Sequence, residues 1–464
     1  REALGADTLG SNSVAVGNSA LRAQNFTTAT DAYNTAVGDQ AGLAVTTGAR
    51  NTIMGGLAGD ALTTGSFSVA VGYAALSTED TADNNTAVGY AALTTLNGGT
   101  QNTAVGQSAG AAMTTGNQNT IVGTNAGDAL TDADHNVALG YNALSADTLG
   151  SRTTAIGVGV LASQNFTTAT EVMNTVVGAF AAEDVTVGVQ NTIVGALAGL
   201  QLTDADFNVA IGYAALSQDV LGSRSVAVGY GALDAQNFTT ATNSYNTAVG
   251  NNAGGGVTTG TQNTILGGLA GVAVTTGTNN VLIGYSAGSS SSVDLTTGSN
   301  NIVIGGNRPS LPAGELHSIL IGTVANIAGK GNNTGFISPN GGAVYQGNNS
   351  TAWSQTSDRR LKKNIVNSTI GLSEINQLQV RNFEYRTVDE VTELEGHTAI
   401  DIQGVQVGVI AQEIQAILPK CVKEESTGVL SVDPDNLTWH TIKAVQELST
   451  ALDAALARIT TLEG

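Results

Sequence analysis

A phrase of the form Asn-Thr-Ala-Val-Gly recurs along the first two thirds of the chain, and its spacing restricts the fold more than any other feature. Anchored on the glycine, the copies fall at Gly17, Gly38, Gly55, Gly72, Gly89, Gly106, Gly123, Gly140, Gly157, Gly178, Gly195, Gly212, Gly229, Gly250, Gly267, Gly284, Gly305 and Gly322. Each of the 18 stands 17 or 21 residues from the next. A period this short has no room for an amphipathic helix or a propeller blade. Each unit is therefore expected to be one coil of a stacked β architecture, burying its side chains on the following coil.

The columns of the repeat carry physical meaning. The residue before each glycine is always Val, Ile, Leu or Met, and a short apolar run bounded by Asn and Gly predicts a buried strand. Three positions after the glycine stands Ala in nearly all copies, as at Ala20, Ala41, Ala75 and Ala109, where a small residue lets backbones approach. Four positions before it stands Asn in 13 copies and Ser or Thr in five. Asparagine tolerates left-handed geometry, and in register it forms hydrogen-bonded ladders. The four-residue extensions are expected in a loop, where insertions are tolerated. Ala23–Gly38, Ser163–Gly178 and Ala235–Gly250 are near copies of one another, which points to duplication of multi-coil blocks.

Composition agrees with a core of small side chains: 59 glycines, 12% charged and 4% aromatic residues. So small a coil buries little alone, and three chains are expected to pack around a common axis. The net charge of −20 argues against nucleic acid and anionic membrane as partners. No stretch approaches the roughly 20 apolar residues of a membrane span. Cys421 is the single cysteine, so no internal disulfide forms. The chain opens on Arg1 rather than Met, which leaves room for domains upstream. No lysine precedes Lys330, and the composition shifts over 323–356, where apolar bursts at Phe336–Ile337 and Ala343–Tyr345 suggest short strands.

Two resemblances add to this reading. Ser-Val-Ala-Val-Gly, at Ser13–Gly17 and Ser225–Gly229, resembles the head repeats of trimeric bacterial adhesins over roughly 6–322, with a coil a few residues longer here. Ser357-Asp358-Arg359-Arg360-Leu361-Lys362-Lys363-Asn364-Ile365 is similar to the Ser-Asp-x-Arg-x-Lys-x-x-Ile opening of the intramolecular chaperone auto-processing domain. That domain ends phage endosialidases and many tail fibres. Gly371–Leu378, Phe383–Tyr385, Gly408–Ile414 with Leu418-Pro419, and Leu430–Asp433 resemble its later elements in order. The resemblance implies cleavage at Thr356–Ser357, with Ser357 as nucleophile and Lys362 as general base; Lys363 fits the spacing less well. A lysine amine can activate a serine hydroxyl, and an intramolecular attack needs neither substrate pocket nor cofactor.

Independently, Val445, Leu448, Leu452, Ala455, Ile459 and Leu462 follow 3-4 spacing, a heptad seam for a coiled coil. Asp433-Pro434-Asp435 marks the start of its helix. His397 and His440 lack partners at metal spacing, and Asp132, Asp134, Asp204 and Asp206 lack the pattern of a calcium loop, so no metal is expected. Tyr73, Tyr90, Tyr141, Tyr213, Tyr230 and Tyr285 follow their anchor glycines and either pack on neighbours or stack on a receptor sugar. Extension segments such as Asn25–Thr30 are alternative contact points.

The expected fold is mainly β: a trimeric β-solenoid shaft over 1–322, a β transition segment over 323–356, and a small α+β chaperone domain over 357–464 whose coiled-coil helix spans about 436–463. The expected function is a structural, receptor-binding phage tail fibre, a homotrimer that cleaves itself once. Its partners are a host-surface glycan or protein and upstream tail proteins, without nucleic acid or membrane insertion. It belongs in the virion, as the product of a precursor made in the host cytoplasm. A bacterial trimeric adhesin is the alternative, but an autotransporter ends in membrane strands rather than a heptad helix. A non-catalytic fragment of a glycan-degrading tailspike is another, since the repeats lack the irregular loops with paired carboxylates that the enzyme itself needs.

Overall fold

The computed structural model describes residues 2–290, 293–306, 308–323, 326–338, 344–346, 359–393, 402–424 and 428–463. The chain divides into two compact units, Arg1–Thr356 and Ser357–Gly464.

The first unit is a parallel β-solenoid. Each repeat makes one short strand ahead of its anchor glycine, from Val14–Val16 to Ile319–Gly322. Neighbouring strands pair in the register of the sequence repeat, as in Thr86↔Thr103, Ala87↔Ala104 and Val88↔Val105. A further coil follows where the sequence phrase has ended: Gly335–Ser338 adds in parallel to Ile319–Gly322. Val344–Gln346 then returns antiparallel and covers the last strand. The anchor glycines from Gly17 to Gly305 have φ between +122° and +145°. A Cβ on Gly106 would lie 2.4 Å from the Gly123 carbonyl oxygen, so neither backbone nor space admits another residue.

The strand is one-sided, which corrects the expectation of a wholly buried one. Its middle residue points inward, as at Ala36, Ile53, Ala87 and Ile121. The residue before the glycine faces outward, with Val16 56%, Met54 43% and Ile211 38% exposed. The opposite wall is built by the alanine after the glycine and by the residue next to it. There, side-chain volumes compensate within a coil: Ile53, Ile121, Ile193 and Ile265 stand with Gly59, Gly127, Gly199 and Gly271, whereas Ala70, Ala87 and Ala138 stand with Leu76, Leu93 and Leu144. A Cβ on Gly199 would sit 2.9 Å from Ile193 Cδ1. Where both positions are small, as at Ala36 with Gly42 and Ala104 with Gly110, the adjacent coils fill the space, with Leu21 and Ile53 at Gly42 and Leu93 and Ile121 at Gly110.

The asparagine ladder forms, and it binds backbone to backbone. Asn119 Oδ1 accepts from the Asn136 amide at 2.9 Å, and its Nδ2 donates to the Ala133 carbonyl at 2.7 Å. Buried main-chain groups of successive coils are thus satisfied by one side chain. The left-handed position belongs to the residue before the asparagine, not to the asparagine; Gln101 and Gln118 have φ of 60° and 58°.

The extensions are not plain loops. Three of them pair in parallel with the preceding coil, Gly10–Ser11 with Thr30–Asp31, Gly150–Ser151 with Thr170–Glu171, and Gly222–Ser223 with Thr242–Asn243. A polar pair in the core selects where this happens. Gln164 Nε2 donates to Asp147 Oδ2 at 2.6 Å, and the Phe166 amide donates to Asp147 Oδ1 at 3.0 Å. Asp7 with Gln24 and Asp219 with Gln236 repeat the pairing. Burial pushes the Asp147 and Asp219 carboxyls above the ordinary range, against the opposing pull of these hydrogen bonds.

The second unit is small and mixed. Helix α1 (Leu372–Ile375) precedes an antiparallel pair, Arg381–Phe383 with Gln406–Gly408. Helix α2 (Ala411–Ile417) precedes a second pair, Val422–Glu424 with Leu430–Val432. Helix α3 (Pro434–Glu463) ends the chain, and its core neighbours centre on Ile414, Leu418 and Cys421.

Candidate functional site

Thr356 and Ser357, and with them the proposed scissile bond, lie outside the described residues. The segment that follows them is described. Arg359–Leu361 forms a single 3-10 turn, and the Lys362 amide donates to the Arg359 carbonyl at 3.1 Å. Lys362 and Lys363 are both exposed. Four basic residues within five positions, Arg359, Arg360, Lys362 and Lys363, make this the most cationic stretch of an acidic chain.

The rest of the unit is organised by carboxylates at helix ends. Asp433 Oδ1 accepts from the Asp435 and Asn436 amides, each at 3.0 Å, and Pro434 opens α3 without an amide to satisfy. Glu447, on α3, reaches across to the start of α1 and accepts from the Leu372 amide at 2.9 Å. Gly371 makes that approach possible, because a Cβ there would lie 2.3 Å from Glu447 Oε2. The Leu372 amide, with Lys443 at 3.2 Å, holds the Glu447 carboxyl below its ordinary value. Arg381 grips Glu413 with two bonds, at 2.9 and 3.2 Å, and ties the first strand pair to α2.

Helix α3 leaves its apolar seam uncovered. Val445, Leu448, Leu452, Ile459 and Leu462 are exposed, and the stripe extends back through Ile442 to Trp439. His440 is half-buried on the same helix, and His397 lies outside the described residues.

On the solenoid the six tyrosines are 49–57% exposed. Tyr73 stacks on Tyr90 at 5.6 Å, and Tyr213 on Tyr230 at 5.4 Å, so packing on the next coil and exposure to a ligand coexist. Asp134 and Asp206 cap backbone amides of Asn117 and Val189 at 2.7 and 2.8 Å. They serve as turn carboxylates. The sequence reading passed over a second exposed column, formed by the residue five before each anchor glycine. Its signal was the recurrence of Arg and aromatic side chains at that one position.

Residues 357–423 match the family model of the chaperone of endosialidase. The match opens on Ser357 and takes in Lys362, α1, both strands of the first pair and α2. This family implies autoproteolysis in general. No solved structure matches the chain. A β-solenoid followed by a chaperone-of-endosialidase segment fits a tail-fibre-type protein.

Proposed function

We propose that this chain is a receptor-binding phage tail fibre whose C-terminal unit drives homotrimer assembly and then severs itself at Thr356–Ser357. The observation that carries this reading is the family match beginning at Ser357, downstream of a long solenoid. Lys362 takes the proton from the Ser357 hydroxyl, whose oxygen attacks the Thr356 carbonyl carbon. The peptide C–N bond breaks, the Ser357 amine leaves protonated, and water hydrolyses the resulting ester. Because both reacting groups belong to one segment, proximity supplies much of the acceleration.

Two apolar surfaces support self-association. One is the α3 seam. The other is the outer face of the solenoid sheet, where Val16, Met54, Leu139, Val194, Ile211, Val249 and Leu266 are exposed in one column. Three solenoids facing one another would cover the second, and three α3 helices packed along their seams would cover the first. The product belongs in the virion, with the precursor made in the host cytoplasm, and Tyr73, Tyr90, Tyr141, Tyr213, Tyr230 and Tyr285 are receptor contacts in this reading.

A denaturing gel tests it. The folded wild-type chain should give fragments covering 1–356 and 357–464, whereas Ser357→Ala and Lys362→Ala should stay whole. An intact wild-type chain that has folded would remove the peptidase and leave a chaperone alone. The unboiled sample should run as a trimer.

A further inference from the structure

One solenoid column differs in chemistry from its surroundings. It holds the residue five before each anchor glycine, from Asn12 to His317, at the bend that enters each strand. Every member is left-handed, with φ from 51° to 63°. That geometry favours Asn and Gly and disfavours bulky side chains. Glycine nevertheless never occurs there, and asparagine takes four of the 18 places. Tyr33, Arg50 and Phe67 occupy three consecutive coils, and Phe207, Arg224 and Tyr245 occupy three more. Three of the six arginines of residues 1–322 and both histidines stand in this column, and no acidic residue does.

The two triads are built alike. The Arg50 guanidinium lies 5.2 Å from the Phe67 ring, and that of Arg224 lies 4.5 Å from Phe207 and 6.0 Å from Tyr245. The four rings are 40–52% exposed, and both arginines are exposed. Their backbones are fixed by amides that donate to the preceding coil, Arg50 to Ala32 at 2.7 Å and Arg224 to Asp206 at 3.0 Å. Arg224 Nε donates to Asn243 Oδ1 at 3.1 Å, and neither arginine has an ion-pair partner among the described residues. Between the triads runs an amide row, in which Gln118 donates to Gln101 at 2.7 Å. Midway, a cleft of about 180 Å³ opens beside His135 and Arg152, the latter paired with Glu171 at 3.2 Å.

We propose that this column is a binding stripe for an acidic polysaccharide lying along the solenoid axis. Exposed rings stack on sugar faces, guanidinium forks take carboxylates, and the amide row takes hydroxyls. Coils stack about 4.8 Å apart, so Arg50 and Arg224, ten coils apart, are separated by roughly 48 Å along the axis. That span calls for a polymer rather than a single sugar. The solenoid's net negative charge does not forbid it, because exposed charges beyond about 8 Å are largely screened at physiological salt. The stripe rests on the receptor-binding reading of the solenoid and gives its ligand class; it is independent of self-cleavage.

Affinity electrophoresis of the full chain in native gels containing hyaluronate, alginate or dextran tests the stripe. Glutamine already occupies this column at Gln101 and Gln118, so Arg50→Gln with Arg224→Gln suits the coil. The wild type should be retarded by at least one uronate polymer and not by dextran, and the double variant should lose at least tenfold in apparent affinity. Tyr73→Gln with Tyr213→Gln probes the tyrosine column separately, and Gln201→Ala, exposed and outside both columns, should leave retardation unchanged. Equal retardation by dextran, or none by either uronate polymer, would overturn the stripe. Loss with the tyrosine pair but not the arginine pair would also overturn it, while leaving receptor binding in place. Adsorption of the wild type to whole bacterial cells, scored in parallel, reports receptor binding itself.

Discussion

The solenoid and the C-terminal unit cover apolar surface by opposite means. In the solenoid each coil passes its open edge to the next, and one buried cluster runs from Ala20 to Phe336. In the C-terminal unit the fully buried cluster is Ile414, Leu418 and Cys421, while α3 keeps Trp439 to Leu462 in solvent. The solenoid buries a continuous core along its axis and exposes apolar side chains on its outer sheet face. Among the described residues, the C-terminal unit is uncovered along its longest helix. In the proposed function the solenoid gives stability once stacked, and the exposed seam of α3 is the surface on which association would begin.

The comparison is open to attack at its strongest point. Gly123→Ala should destabilise the solenoid by about 4 kcal/mol, read from the urea midpoint, because its φ is +139° and a Cβ would meet Gly140 O at 2.3 Å. Gly98→Ala, where nothing lies within 4 Å and φ is +104°, should cost about 1 kcal/mol. Equal effects would mean that the anchor column does not set the stack. Next, Asn119→Ala should cost roughly 2–3 kcal/mol, since it leaves buried main-chain groups unpaired. On the C-terminal side Leu452→Asp should abolish trimers in sedimentation equilibrium. It should shift the melting of an already folded solenoid by less than about 0.5 kcal/mol.

The two regions should also answer acid with opposite signs. Glu447 has a carboxyl held below 4.5, so its contribution is present above that value and is lost as pH falls through the folded-state value. The protection factor of the Leu372 amide, corrected for the intrinsic exchange rate at each pH, should therefore fall in acid, and Glu447→Gln should remove the response. Asp147 and Asp219 are raised above 3.8 by burial, so they weaken the fold as pH rises through their folded-state values. Mild acid should raise the solenoid midpoint slightly, and Asp147→Asn with Asp219→Asn should flatten that rise.

Much of the fold was legible because the period fixes the register. The anchor glycines named the strand that precedes each of them, and the Asn column named the ladder. The facing of Val88 and its equivalents was not legible, because a three-residue strand is too short to show alternation. A short strand at Phe336–Ile337 was legible; that it continues the parallel stack was not, because pairing there needs only backbone and Phe336, not the phrase. The pairing of the extensions depends on Asp147 meeting Gln164 from the preceding coil, a contact that period counting does not reveal. In the C-terminal unit the role of Gly371 was not legible, because it depends on Glu447, which is 76 residues away in sequence. Ser357 and Lys362 were legible only through motif resemblance.

Refolding tests the central claim most directly. The uncleaved Ser357→Ala chain and the isolated fragment 1–356 are unfolded in guanidinium and diluted, and recovery of trimeric solenoid is followed by sedimentation and circular dichroism. The account expects the uncleaved chain to recover and the fragment to fail or aggregate. Equal recovery of both would contradict a chaperone role for the C-terminal unit.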